Sequence, residues 1–129
     1  MKEFEGIPVL ARAVARIIPF NAEIEDAVCE LLLTKRELII STEIWDEKKW
    51  EPSGYKKLLA IHRSKIIAIE KYLDKTYNDY NDGILEVRYY TDENKIEKVH
   101  FNEFRSGAEN LIKIFKKESD VSSWLIKHW

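Results

Sequence analysis

Apolar residues alternate with polar ones over most of this chain, and recur at every third and fourth position only towards its end. The densest apolar run lies between Asp26 and Ile44, DAVCELLLTKRELIISTEI. There the triplets Leu31-Leu32-Leu33 and Leu38-Ile39-Ile40 flank the polar Thr34-Lys35-Arg36-Glu37. Two short β-prone runs joined by four polar residues predict a hairpin. Further along, KLLAIH and KIIAIEKY predict two more strands, with His62-Arg63-Ser64-Lys65 as a tight polar corner between them. ILEVRYY and KIEKVHF predict another hairpin, and the polar TDEN between them suits a four-residue turn.

The first element is ambiguous by periodicity. Ile7, Val9, Ala11, Ala13, Ala15 and Ile17 alternate with Arg12 and Arg16, which is a strand pattern. Val9, Leu10, Ala13, Val14 and Ile17 also form a helical stripe, and Pro8 would suit a first helical turn. The strand-rich context favours a strand over Gly6 to Pro19. Two polar stretches carry little periodicity: an acidic connection from Phe20 to Asp26 and a long excursion, DKTYNDYNDG, from Asp74 to Gly83. In WDEKKWEPSGYKK, from Trp45 to Lys57, Pro52-Ser53-Gly54 is turn chemistry. Trp45 and Trp50 in this polar segment either lie as lids on the core or form an exposed contact surface.

Beyond Arg105 the period changes. Ala108, Leu111, Ile112 and Phe115 make an apolar helical stripe opposite Lys113, Lys116 and Lys117. Ser106 and Glu109 have the spacing of a capping box. Ser119-Asp120 is expected to interrupt the helix before a last piece bearing Val121, Trp124, Leu125 and His128. The order of elements predicts a single, mainly β domain, with strands within 7–101, a capping helix over about 105–118 and a short helix over about 120–129. Sequential strands favour antiparallel pairing. Seven of them with exposed edges call for closure or cover, so the expected architecture is a bent, partly open barrel capped by the amphipathic helix.

Length and charge narrow the function classes. At 129 residues the chain is one domain of ordinary size. Its formal net charge of -2 lacks the basic excess of a dedicated nucleic-acid binder. One cysteine, Cys29, permits no internal disulfide, and its apolar setting suits a small buried hydrophobe. The first twenty residues carry acids where a signal peptide is basic, and no apolar run approaches a membrane span. A cytoplasmic protein is the expectation.

No catalytic constellation emerges. His62, His100 and His128 sit on separate elements without ligand-spaced neighbours. Asp74, Asn78, Asp79, Asn81 and Asp82 invite a calcium reading, but a loop starting at Asp74 would need glycine where Asp79 stands. Four unclustered glycines form no phosphate loop. Paired acids, Glu23 with Glu25 and Glu47 with Glu51, fall on surface-like segments. The expectation is a protein that is not an enzyme and needs no cofactor or metal.

LLLTKRELIIS resembles the second hairpin of pleckstrin-homology-like domains of the GRAM and bacterial PH type, with Thr34, Arg36 and Leu38 matching and Glu37 replacing a common basic residue. AIHRSKIIAIEKY is similar to the strand and corner of the same families through Ile61, Ser64 and Ile66, with His62 in place of the usual proline. GAENLIKIFKK resembles their capping helix, so the likeness runs from Val28 to Lys117. A narrower resemblance is to the N-terminal part of the archaeal taxis proteins called CheF, adaptors between chemotaxis signalling proteins and the archaellum machinery. The absence of glutamine, with abundant Ile, Lys and Glu, suits such a source, possession of a thermophilic bias included.

The resemblance implies an interaction module. Phosphoinositide-binding members gather Lys and Arg around the loop between their first two strands, but the corresponding Asn21–Asp26 carries Glu23, Glu25 and Asp26, which repel a polyphosphate. Protein–protein contact is therefore the leading expectation, with Trp124, Leu125, Trp129, Trp45 and Trp50 as candidate contact residues. The alternative is a peripheral membrane surface using Lys48, Lys49, Lys56, Lys57 and Arg63. Homodimerisation through a strand edge or the terminal helix is a further option.

Overall fold

The fold was taken from a computed structural model, which describes residues 3–18, 28–72 and 83–127, without the side chains at 45, 52, 72, 103–106 and 118–127. The predicted connection at 20–26, the excursion over 74–82, His128 and Trp129 lie outside the described residues.

A two-residue hairpin opens the chain: β1 (Glu3–Phe4) pairs with β2 (Ile7–Pro8). Its turn residues, Glu5 and Gly6, have φ of 52° and 79°, the positive values that two-residue hairpin turns need. β3 (Ala11–Ile18) follows. The single strand expected from Gly6 to Pro19 is thus broken at Val9 and Leu10. Within β3 the strand period prevails over the helical stripe: Ala11, Ala13, Ala15 and Ile17 are buried, and Arg12 is exposed. Strand geometry wins there because β3 is hydrogen-bonded on both sides, to β4 (Val28–Leu33) and to β9 (Ile96–Ser106).

The full set adds β5 (Glu37–Asp46), β6 (Glu51–His62), a 3-10 turn at Arg63–Lys65, β7 (Ile66–Tyr72), β8 (Ile84–Tyr90) and α1 (Ala108–Lys127). Seven strands form one antiparallel sheet in the order β6-β5-β4-β3-β9-β8-β7, so β3 joins a four-strand meander to a three-strand one. The sheet is not closed into a barrel. Its two ends, β6 and β7, are successive in the chain and joined only by the polar corner. His62 caps that corner by accepting from the Ser64 N–H through Nδ1.

The two apolar triplets are continuous because both faces of their hairpin are covered. Leu31, Leu33, Leu38 and Ile40 enter the main core with Ile17, Val87, Phe101, Leu111 and Phe115. Leu32 and Ile39 point to the other face, where Phe4 of β1 and Val9, just after β2, cover them. Cys29 is buried, as its setting predicts. On that outer face Arg12 donates two hydrogen bonds to Glu30, through Nε (3.1 Å) and Nη2 (2.9 Å). The Glu30 hydrogen bond raises the Arg12 pKa still further.

Three further expectations need correction. Pro52-Ser53-Gly54 lies inside β6, and the turn is Glu47–Trp50 instead. β6 is an edge strand, where a missing N–H is tolerated, and the register slips between Ile44 and Trp45, leaving Ser53 as the extra residue. Secondly, α1 runs unbroken through Ser119-Asp120, because neither residue costs a helix more than about 0.7 kcal/mol and no Gly or Pro follows Gly107. Thirdly, Ser106 closes β9, and Gly107 takes the N-cap position, its carbonyl accepting from the Leu111 N–H at 2.9 Å. Among the described residues, no helix is long and apolar enough to cross a membrane.

Candidate functional site

Among the described residues, the β5–β6 pairing runs to Asp46 and Glu51, past the last β4 partner of β5 at Thr42. β5 is buried from Leu38 to Ser41, but its Glu43 and Ile44 are exposed, as are Tyr55, Lys56 and Lys57 on β6. The hairpin therefore projects as an arm, with Ile44 47% and Tyr55 44% exposed. At its tip the Asp46 carboxylate Oδ1 accepts from the backbone N–H groups of Lys48 (2.9 Å) and Lys49 (3.3 Å). The Asp46 carbonyl accepts from the Trp50 N–H at 2.8 Å. Ser53 Oγ donates to the Ile44 carbonyl at 3.1 Å, fastening the bulge. This closed turn holds Trp50 at φ 54°, with the residue 79% exposed. A large aromatic so displayed is the reverse of a lid.

The structure divides the predicted site residues. Lys48 and Lys49 share the tip with Trp50. Lys56 and Lys57 stand on opposite faces of β6, and Lys57 is engaged: its Nζ lies 3.5 Å from Glu5 and 5.7 Å from the centre of the Phe4 ring. Arg63 sits at the far end of β6, donating to the Thr34 carbonyl at 3.2 Å with its guanidinium 5.6 Å from the Phe115 ring centre. The five cations are not one patch. Trp45 has its backbone in β5 opposite Pro52, and Trp124 and Leu125 have theirs in α1. The side chains of these three, and all of Trp129, lie outside the described residues.

Where the two sheet ends meet at the corner, a cleft of about 380 Å³ opens between the end of β6 and the β8–β9 turn. Tyr89 donates to Glu97 Oε2 at 3.2 Å, and Lys65 pairs with Asp92. Burial, reinforced by the Glu97 charge and hydrogen bond, pushes the Tyr89 phenol up to about 12. Lys65 lowers the Asp92 carboxyl through its hydrogen bond and charge. Tyr89 is thus a neutral hydrogen-bond donor at physiological pH. An unfolded tyrosine ionises near pH 10, so the folded chain holds this proton more tightly. Its stabilising contribution is complete below about pH 10 and lost as pH rises towards 12. In an alkaline titration followed by phenolate absorbance, one tyrosine should ionise late, and Tyr89→Phe should remove that phase. A profile unchanged by the substitution would contradict the assignment.

Among the described residues, no group of three or more His, Cys, Asp or Glu side chains is placed to hold a metal ion. His100 Nε2 lies 2.9 Å from Glu86 Oε2, part of a cross-strand charge ladder in which Arg88 meets Glu70 and Glu86. Sequence reasoning missed the N-terminal hairpin and the arm. The signal for the first is the Glu5-Gly6 pair between Phe4 and Ile7. The signal for the second is the alternation that runs through Ile44 and Tyr55 on either side of KKW. No protein-family model matches the chain, and no curated protein matches it either.

Proposed function

We propose that this chain is a non-catalytic, pleckstrin-homology-like interaction module that acts as an adaptor through protein–protein contacts. The strand order, the shared β3 and the helix after the last strand support the resemblance noted in the sequence. The observation that carries the functional reading is Trp50, held by a hydrogen-bonded turn at the end of a projecting arm. Pre-organisation of this kind lowers the entropic cost of docking, and tryptophan is enriched among residues that dominate binding energy. The partner is unidentified, and the resemblance to archaeal taxis adaptors makes chemotaxis signalling proteins the first candidates to test.

Photo-crosslinking from position 50 in native cells identifies the partner. Trp50→Ala should then weaken association with it at least about 30-fold, corresponding to the ~2 kcal/mol of a binding hot spot. Thermal stability should stay unchanged, since the indole covers no core. Full affinity in the Trp50→Ala protein would end this reading.

Lys48 and Lys49 beside Trp50 favour one alternative, insertion of the arm tip at an anionic membrane surface. Salt-sensitive sedimentation with phosphatidylserine vesicles, lost in Lys48→Ala/Lys49→Ala, would select it. Self-association through the edges of β6 or β7, which have no strand partner among the described residues, would appear instead as a concentration-dependent mass.

A further inference from the structure

At the end of β5 opposite the arm tip lies a second concavity, of about 400 Å³. Gly6, Ile7, Pro8 and Leu10 form one wall, and Lys35 and Arg36 from the β4–β5 turn form its rim. The side chains of Ile7, Pro8 and Leu10 carry no hydrogen-bonding atom, and Pro8 lacks a backbone N–H as well. Behind this wall Phe4 and Val9 pack on Leu32 and Ile39, so the pocket is backed by the smaller core.

The rim is fixed as firmly as the wall. Thr34 is buried, and its Oγ1 donates to the Glu37 carbonyl (3.0 Å) while accepting from the N–H groups of Arg36 (3.3 Å) and Glu37 (3.1 Å). The Arg36 carbonyl accepts from the Arg63 N–H at 2.8 Å. Lys35 and Arg36 are exposed, and neither side chain has an ion pair among the described residues. The nearby Glu5 carboxylate is engaged with Lys57. Two positive charges therefore stand over an apolar hollow.

We propose that this pocket binds a single-chain anionic amphiphile, a long-chain carboxylate. Its alkyl chain lies against Ile7, Pro8 and Leu10, and its headgroup meets Lys35 and Arg36. The volume falls in the range of small-ligand pockets, and a guanidinium matches a carboxylate in bidentate geometry. An inserted peptide would bring an N–H and a carbonyl with every residue to a wall that offers little to pair with them. An alkyl carboxylate has its only polar group at the end, where the cations are. This inference is independent of the arm, which occupies the other end of β5.

The test is titration of the full chain with dodecanoate below its micellar concentration, followed by amide NMR and calorimetry. The expected result is saturable one-to-one binding with shifts at Gly6, Ile7, Leu10, Lys35 and Arg36. Lys35→Ala/Arg36→Ala should weaken it at least about tenfold, the scale of one charge-assisted hydrogen bond, with the melting temperature preserved because both side chains are exposed. Dodecyltrimethylammonium should not perturb these residues. Absence of saturable binding, shifts confined to the arm, an equal response to the cationic amphiphile, or undiminished affinity in the double variant would each overturn the proposal.

Discussion

Gly107→Ala is expected to destabilise the fold by about 3–5 kcal/mol, at the severe end of single substitutions. Two costs combine. Gly107 has φ 82°, a left-handed conformation that costs an L-residue about 1–2 kcal/mol. In addition, a Cβ at this position would sit 2.0 Å from the Arg12 carbonyl oxygen and 3.1 Å from the Ala13 Cα. Both obstacles are backbone atoms of β3, which is fastened to β4 and β9 and cannot yield locally. The start of α1 must back away from the sheet, and Leu111 and Phe115 must leave the core with it. Gly6→Ala is the control. Its φ of 79° is similar, but nothing lies within 4 Å of the added carbon, so only the conformational cost of about 1–2 kcal/mol applies. Urea unfolding of the two variants checks the difference. Equal losses would show that α1 does not depend on this close approach.

Phe101→Ala should cost about 3–5 kcal/mol, as truncations of buried aromatics do. Phe101 is the largest fully buried side chain among the described residues and stands in register with Leu85 on β8 and Ile17 on β3, both also buried. This row crosses the junction between the two meanders, so the cavity would weaken the one strand pairing that unites them among the described residues. Against a typical domain stability of 5–15 kcal/mol, such a loss leaves a partly unfolded population at physiological temperature. Phe101→Leu should recover most of it, since volume and apolarity are largely kept. Calorimetric melting of the three proteins measures this. A small effect in the Ala variant would mean that the core collapses around the gap.

The sequence made the strands legible wherever burial acted on one face at a time. Ala11, Ala13, Ala15 and Ile17 alternate with Arg12 and Arg16 because one side meets the core. The Leu31–Leu33 and Leu38–Ile40 triplets stood out for a different reason, since each is covered on both faces. The N-terminal hairpin escaped because two-residue strands have no period to detect. The arm escaped because Pro52, Ser53 and Gly54 imitate a turn, and only the edge position and bulge of β6 make them acceptable in a strand. The role of Gly107 is a tertiary contact between positions distant in sequence, which no local pattern records. Trp50 was legible as a candidate but not as an exposed one, because composition does not reveal which end of a hairpin leaves the core.

The shared strand has a bearing on biosynthesis. A nascent chain that has emerged only through His62 possesses β1 to β6, but the edge of β3 that later receives β9 is still bare. Its apolar residues then face water while the ribosome completes the remainder. Because pairing across so long a stretch of polypeptide is entropically slow, chaperone demand should peak just before Phe101 arrives.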